Sequence, residues 1–258
     1  LSKKKIITVS IITCNRLKSL KKMLEHFFKN TTVLYELFII DNGSTDGTRN
    51  FLKKEIEGRP NVTIIYNKKN YGPAYAVNQG WYRANVKEYL TRIDDDVLLP
   101  PNWAEEMIEI CDKIPQVGSV GINFESVSYP EIKVNGCRVQ RKEGILGGWF
   151  VMVPRRVFEK IGYWNEHLVR IGHEDTEFGW RVLYAGFWNV YHPDMHTRAK
   201  IYDTAESQEY VAAKEFAKRT NYRIVKKFVD YYKEIRNLYQ RPVPIYLDHI
   251  EKGSVREG

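Results

Sequence analysis

At 258 residues, 43% hydrophobic and 28% charged, the chain has the composition of an ordinary globular protein, long enough for one α/β domain or a domain with an appendage. It contains no run of about 18 apolar residues, which excludes a transmembrane helix. Cys14, Cys111 and Cys137 have neither the pairing nor the spacing of a disulfide framework or zinc site, which points to a reducing, cytosolic setting. The net charge of +8 is concentrated, because nine basic residues stand against three acidic ones between Lys214 and Arg241 and the remainder is nearly neutral.

In chain order, the basic start Lys3-Lys4-Lys5 precedes Ile6 to Ile12, a short β-rich run interrupted by Thr8 and Ser10. It reads as a first strand and not as a signal peptide, and its near-continuous apolar character fits a strand covered on both faces. After the polar turn Thr13 to Arg16, Leu17, Leu20, Met23, Leu24, Phe27 and Phe28 recur at helical spacing. Leu34 to Ile40 is a second strand that ends at the turn and cap residues Asp41 to Thr48, and a helix through Phe51, Leu52 and Ile56 follows. Val62 to Tyr66 is a third strand, followed by Asn67 to Pro73 and a helix over about 74–84. Tyr89 to Ile93 is a fourth strand. This alternation calls for a parallel sheet with helices on both faces, whose ligands bind beyond the carboxyl ends of the strands. The loops 13–16, 41–46, 67–72 and 94–96 all fall at that edge.

The fourth strand delivers Asp94, Asp95 and Asp96 together, and crowded like charges raise one another's pKa. A divalent cation with oxygen ligands, Mg²⁺ or Mn²⁺, answers that repulsion; a solvated acidic turn is the plainer reading. Beyond Pro100 the pattern predicts a helix over Trp103 to Ile114, a strand over 117–121 and a hairpin or loop over 125–144. A strand beginning on Gly147-Gly148, a short helix at 157–161, a helix opening at His173-Glu174-Asp175 and a strand over 188–191 follow. No internal repeat or low-complexity segment occurs.

Six pieces now stand in order. They are Val9 to Arg16, Asp41 to Thr48, Asn70 to Gly80, Asp94 to Asp96, Gly147 to Phe158, and Glu174 to Glu177 with Arg181. Together, over about residues 6–200, they resemble the inverting family-2 glycosyltransferases of the GT-A fold. The resemblance implies a nucleoside-diphosphate-sugar donor, with UDP favoured, a metal-dependent direct displacement, and a glycan or lipid-linked acceptor. It places Thr13, Asn15, Arg16, Asp41, Asp46, Asn70 and Gly72 around the nucleotide-sugar. Asp96 becomes the first choice of metal ligand, Asp94 a ligand or ribose contact, and Asp95 the acid nearer the donor sugar. The general base falls to Asp175, with Glu174 beside it.

Each assignment has a plainer counterpart. Asp41 and its neighbours also suit Asx turns and helix caps, Gly72 also suits a turn, and the acids of 174–177 also complement a helix macrodipole. His196 and His192 compete for a third metal-ligand role, with His196 preferred, and either also reads as an ordinary histidine. Trp149, next to Gly148, reads as an acceptor-side sugar platform or as core. Glu177 and Asn165 stand where the family often has aspartate, which leaves acceptor contacts open.

From Phe216, apolar residues recur at three and four, predicting an amphipathic basic helix with an irregular tail after Pro242. Such a helix suits packing on the domain or peripheral contact with the cytoplasmic face of an anionic membrane. The expected organisation is thus a domain over 1–203, with a nucleotide-sugar half to about 100 and an acceptor half after it, and a helical extension over 204–258. Two other readings are a nucleotidyltransferase and a nucleic-acid-binding protein. The first usually has a glycine-rich phosphate loop, which Thr13 to Arg16 lacks. Acidic loops and the absence of a known motif argue against nucleic acid.

Overall fold

The computed structural model describes residues 5–168, 172–202 and 208–239. Strands β1 (Ile6–Thr13), β2 (Leu34–Asp41), β3 (Val62–Tyr66) and β4 (Tyr89–Asp94) are mutually parallel in the order β3-β2-β1-β4. They follow the apolar runs expected. Alternate side chains serve opposite faces of the sheet. Ile7, Val9, Ile11, Leu37 and Ile39 share a core with α1 (Leu17–Asn30) and α4 (Trp103–Lys113). Phe38 and Ile40 share the other with α3 (Pro73–Arg83), α5 (Arg155–Ile161) and α6 (Glu174–Tyr184).

Between β2 and β3 the single helix expected is instead a four-residue α2 (Thr48–Phe51) running into a π-helical turn, Leu52–Ile56. The wider turn still buries both Leu52 and Ile56. Helix α3 lies unusually close to the sheet. A Cβ added at Gly80 would stand 2.1 Å from Ser10 Oγ and 2.9 Å from Phe38 Cβ.

Past β4 the sheet turns mixed. After β5 (Val97–Leu98) come β6 (Val117–Ile122), the hairpin β7 (Glu131–Val134) and β8 (Cys137–Lys142), then β9 (Phe150–Pro154) and β10 (Trp188–His192). Among the described residues the main sheet has nine strands in the order β3-β2-β1-β4-β9-β6-β10-β8-β7. Strand β9 runs antiparallel to both neighbours, β4 and β6. Gly147 and Gly148, expected to begin this strand, precede it, with a turn at Gly148 and Trp149, and the strand starts at Phe150. Because β9 runs backwards, its first residues meet the last residues of β4, and Asp94 N donates to Trp149 O at 2.8 Å.

Helix α7 (Met195–Arg198) leads to β11 (Lys200–Ile201), which pairs antiparallel with β5 and brings Tyr202 N to Asp96 O at 2.8 Å. The C-terminal helix α8 (Gln208–Tyr239) docks on α6. Tyr232 is fully buried there, and its hydroxyl donates to Glu177, itself held by Arg181 at 3.0 and 2.9 Å. Val225 and Tyr232 of the apolar stripe therefore pack on the domain, while Tyr222, Arg223, Lys226, Lys227, Tyr231 and Lys233 face outward. The expected irregular tail lies outside the described residues.

Candidate active site

The four polar loops do converge at the carboxyl edge of β1 to β4. Asn15 N donates to Ser44 Oγ at 2.9 Å, and Thr45 N donates to Asn15 Oδ1 at 2.6 Å, so the first two loops are laced together. Asp46 spans the same gap, accepting from Leu17 N at 3.0 Å and Thr48 N at 3.1 Å. Asn42 Nδ2 donates to Asn70 Oδ1 at 2.9 Å, tying the second loop to the third. Gly43, at φ 91°, makes this approach feasible, since a Cβ there would lie 2.7 Å from the Lys69 backbone. Gly72, also at φ 91°, caps α3 and donates to Asn70 Oδ1 at 2.9 Å. Asp41 is fully buried, forming an Asx turn with Ser44 N at 3.0 Å and an ion pair with Arg49 at 2.5 Å. Its carboxylate is thus engaged within the protein by both contacts.

The acidic triplet is held by two arginines. Arg16 Nε donates to Asp95 Oδ1 at 2.9 Å and its Nη2 to Asp96 Oδ2 at 2.6 Å, while Thr13 Oγ1 donates to Asp95 Oδ2 at 2.6 Å. Asp95, expected near the donor sugar, is turned into the protein as the clasp between β1 and the triplet. Burial pushes its pKa up to about 7, with Arg16 and Thr13 opposing and the charges of Asp96 and Asp94 adding to the rise. Asp94 and Asp96 remain at the surface, with side chains 36% and 19% exposed.

Arg92 is the residue that sequence reasoning missed. It lies on β4 two residues before Asp94, so the two side chains share a face. It is 4% exposed and donates to Asp94 Oδ1 from Nε at 3.3 Å and from Nη2 at 3.2 Å. Its Nη1 reaches Glu174 Oε1 at 3.2 Å, and its guanidinium lies 5.0 Å from the Trp164 ring, which stacks on Phe178. A charged residue inside an otherwise apolar strand was the available signal.

Across Arg92 stand the acids that open α6. Asp175 Oδ2 accepts from Gly148 N at 3.2 Å and Oδ1 from Thr176 N at 2.7 Å. Burial, then the charge of Glu174, push the Asp175 pKa up to about 6 against the pull of Arg92 and the two backbone N–H groups. A Cβ at Gly148 would be 3.2 Å from Asp175 Cβ and 3.3 Å from Arg92 Cζ, so glycine lets loop, carboxylate and arginine meet. Trp149 is half-buried, donates from Nε1 to Ile122 O at 2.7 Å and packs by Phe124. That anchorage is the core-packing alternative, with part of the indole still at the surface.

His192 is committed elsewhere. Its Nδ1 accepts from Asp194 N and Met195 N, and its Nε2 lies 2.9 Å from Glu106. His196 is exposed on α7. Among the described residues no three His, Cys, Asp or Glu side chains form a group that could hold a metal ion, so His196 is not gathered with Asp94 and Asp96. Those two carboxylates nevertheless suit Mg²⁺ or Mn²⁺, which take one or two carboxylates and complete their shell with phosphate oxygens and water.

A mostly parallel sheet whose loops are laced together at one edge, with surface carboxylates at one strand end and a second acid pair across an arginine, matches the GT-A glycosyltransferase fold. The solved mannosyltransferase PcManGT from Pyrobaculum calidifontis, in complex with GDP-Man and Mn²⁺, is similar with a TM-score of 0.60 at 18% identity, over 80% of this chain and 59% of that one. GalNAc-T7 with UDP, GalNAc and Mn²⁺ gives 0.65 at 16% identity, over 82% and 47%. The family model for glycosyl transferase family 2 matches residues 8–162, and the chain belongs to that family. Among curated relatives, the succinoglycan biosynthesis protein ExoA of Rhizobium meliloti is 24% identical over 196 residues, 69% of this chain and 58% of that protein. The chain spans between 24% and 58% of the length of the curated relatives it matches. Of the three readings open from the sequence, membership of this family favours the glycosyltransferase over the nucleotidyltransferase and the nucleic-acid binder.

Proposed function

We propose that the protein transfers a sugar with inversion from a nucleoside-diphosphate sugar to a hydroxyl of a glycan or lipid-linked acceptor. The observation that carries this reading is that Asp175 is held by Gly148 N while its neighbour Glu174 is joined to Arg92 and, through Arg92, to Asp94. An acid from the acceptor half stands beside the surface carboxylates of the donor half. The acceptor oxygen attacks the anomeric carbon as the bond to the β-phosphate oxygen breaks, and Asp175 takes the hydroxyl proton. Glu174, paired to Arg92, orients that acid. Thr13, Asn15, Arg16, Asp46, Asn70 and Gly72 line the donor side, with Asp41 behind them as support, and Gly148 and Trp149 border the acceptor side.

Asp94 and Asp96 would hold Mn²⁺ or Mg²⁺, whose chemistry there is Lewis-acid relief of the charge building on the leaving diphosphate. Both similar solved structures contain Mn²⁺, which supports manganese, and GDP-Man in one against UDP in the other leaves either nucleotide compatible with the fold. The name of ExoA supports a glycan-assembly role. The donor half spans about 1–100 and the acceptor half about 101–203. Among the described residues no helix is long and apolar enough to cross a membrane. The outward lysines and arginines of α8 support peripheral contact with an anionic lipid surface, where a lipid-linked acceptor resides.

Asp175→Asn is expected to abolish transfer, by roughly a hundredfold or more, while leaving nucleotide affinity nearly intact. Kinetics beside a nucleotide titration check this, and an equal loss of both would refute the base. Asp96→Ala is expected to remove the Mn²⁺ dependence of nucleotide binding. Wild-type-like titrations with and without the ion would sink the ligand assignment.

A further inference from the structure

The hydrogen bonds that join the two halves continue past Glu174 into the C-terminal helix. Asn221, fully buried on α8, donates from Nδ2 to Gly172 O at 2.8 Å. Gly172 N in turn donates to Glu174 Oε2 at 2.9 Å, and the other oxygen of Glu174 accepts from Arg92, which holds Asp94. One unbroken path thus runs from α8 to the surface carboxylates, passing directly beside Asp175.

The residues that need holding are the ones just before the acids. Gly172 and His173 both have positive φ, 111° and 67°, so the chain enters α6 through two successive left-handed residues. Gly172 has no side chain to fix that course, while the His173 ring lies 3.4 Å from Thr176 Oγ1 and beside Tyr222 of α8. The amide of Asn221 reaches the backbone at this bend from a separate element.

We infer that Asn221 is a positioning residue for sugar transfer. By fixing Gly172, it sets where Glu174 and Asp175 present their carboxylates. This rests on Asp175 being the general base. Docking of α8 does not depend on Asn221 alone: Val225 and Tyr232 are buried, Tyr232 bonds Glu177, and Phe228 packs by His167. Loss of one amide therefore leaves the helix seated and lets the acids drift, and a displacement near 1 Å costs roughly a hundredfold in rate.

The test uses the whole chain with Asn221→Leu and Asn221→Asp, both close in shape and both without the donor, alongside Asp175→Asn. Melting temperature, affinity for the nucleoside diphosphate with Mn²⁺, and kcat and KM for transfer are measured. The expected result is a kcat lowered roughly ten- to hundredfold, with nucleotide affinity and donor KM within about twofold of wild type. The aspartate variant serves if the leucine variant fails to fold. A variant that loses nucleotide affinity together with kcat assigns Asn221 to general stability and overturns the inference. If Asp175→Asn abolishes transfer while both Asn221 variants turn over like wild type, the inference on Asn221 alone falls. If Asp175→Asn still transfers, it is the base that falls.

Discussion

Arg92 keeps its charge in the interior because it is surrounded by acids. Burial works against that charge, but Asp94, Glu174 and Asp175 together outweigh it and hold its pKa above the ordinary arginine value. In return it lowers the cost of bringing those acids together. Without it they would face each other uncompensated, the situation in which breaking a buried pair costs about 3–5 kcal/mol. Asp175 is left with a pKa of about 6, which sets two pH dependences of defined sign. As a base it must be ionised, so kcat should climb as pH rises through about 6 and level off above. For stability the sign is opposite. The folded value lies above the unfolded one of about 3.9, so the contribution of Asp175 is fully present below that value and lost as pH rises through about 6. Comparing wild-type and Asp175→Asn melting temperatures across pH 4–8 checks this, and the variant should gain relative stability towards the upper end of that range.

At the scale of elements, the tightest fit is that of α3 on the sheet. Ser10 Oγ can rotate away from an added methyl at Gly80, but Phe38 Cβ, 2.9 Å away and fixed to the backbone of β2, cannot. Gly80→Ala should therefore destabilise by about 1–3 kcal/mol despite alanine's better helix propensity. A denaturant titration reads this directly, and a stabilised variant would show that α3 has room. Other element-level facts explain what the sequence could and could not disclose. Strands β1 to β4 were legible because each is a local apolar run closed by polar turn residues. The place of β9 was not, because pairing between Leu90 and Val153 or Thr91 and Met152 joins residues remote in sequence and leaves no local mark. Arg92 carried a local mark, a charge within its strand, but its role did not show because its partner Glu174 is 82 positions away. The turn chemistry of Asp41 and Asp46 was legible, whereas the ion pair between Asp41 and Arg49 left no mark of its own. The spacing of α8 showed an apolar face without showing that Glu177 and Tyr232 would complete it.

For the molecule as a whole, the halves proposed to bind donor and acceptor are one continuous ladder. β4 is bonded to β1 on one side and to β9 on the other, and β9 continues into β6. A hinge needs a few connecting residues free to change their backbone angles, and along this line every rung would have to break instead. The two halves consequently cannot swing apart. Whatever admits a sugar and then shuts out water must be done by the rim, leaving the frame still. Amide exchange read by mass spectrometry should find β4 and β9 among the slowest segments, unaltered by nucleotide and Mn²⁺, with any change confined to the loops. Faster exchange along β4 and β9 on ligand addition would mean that the frame yields after all.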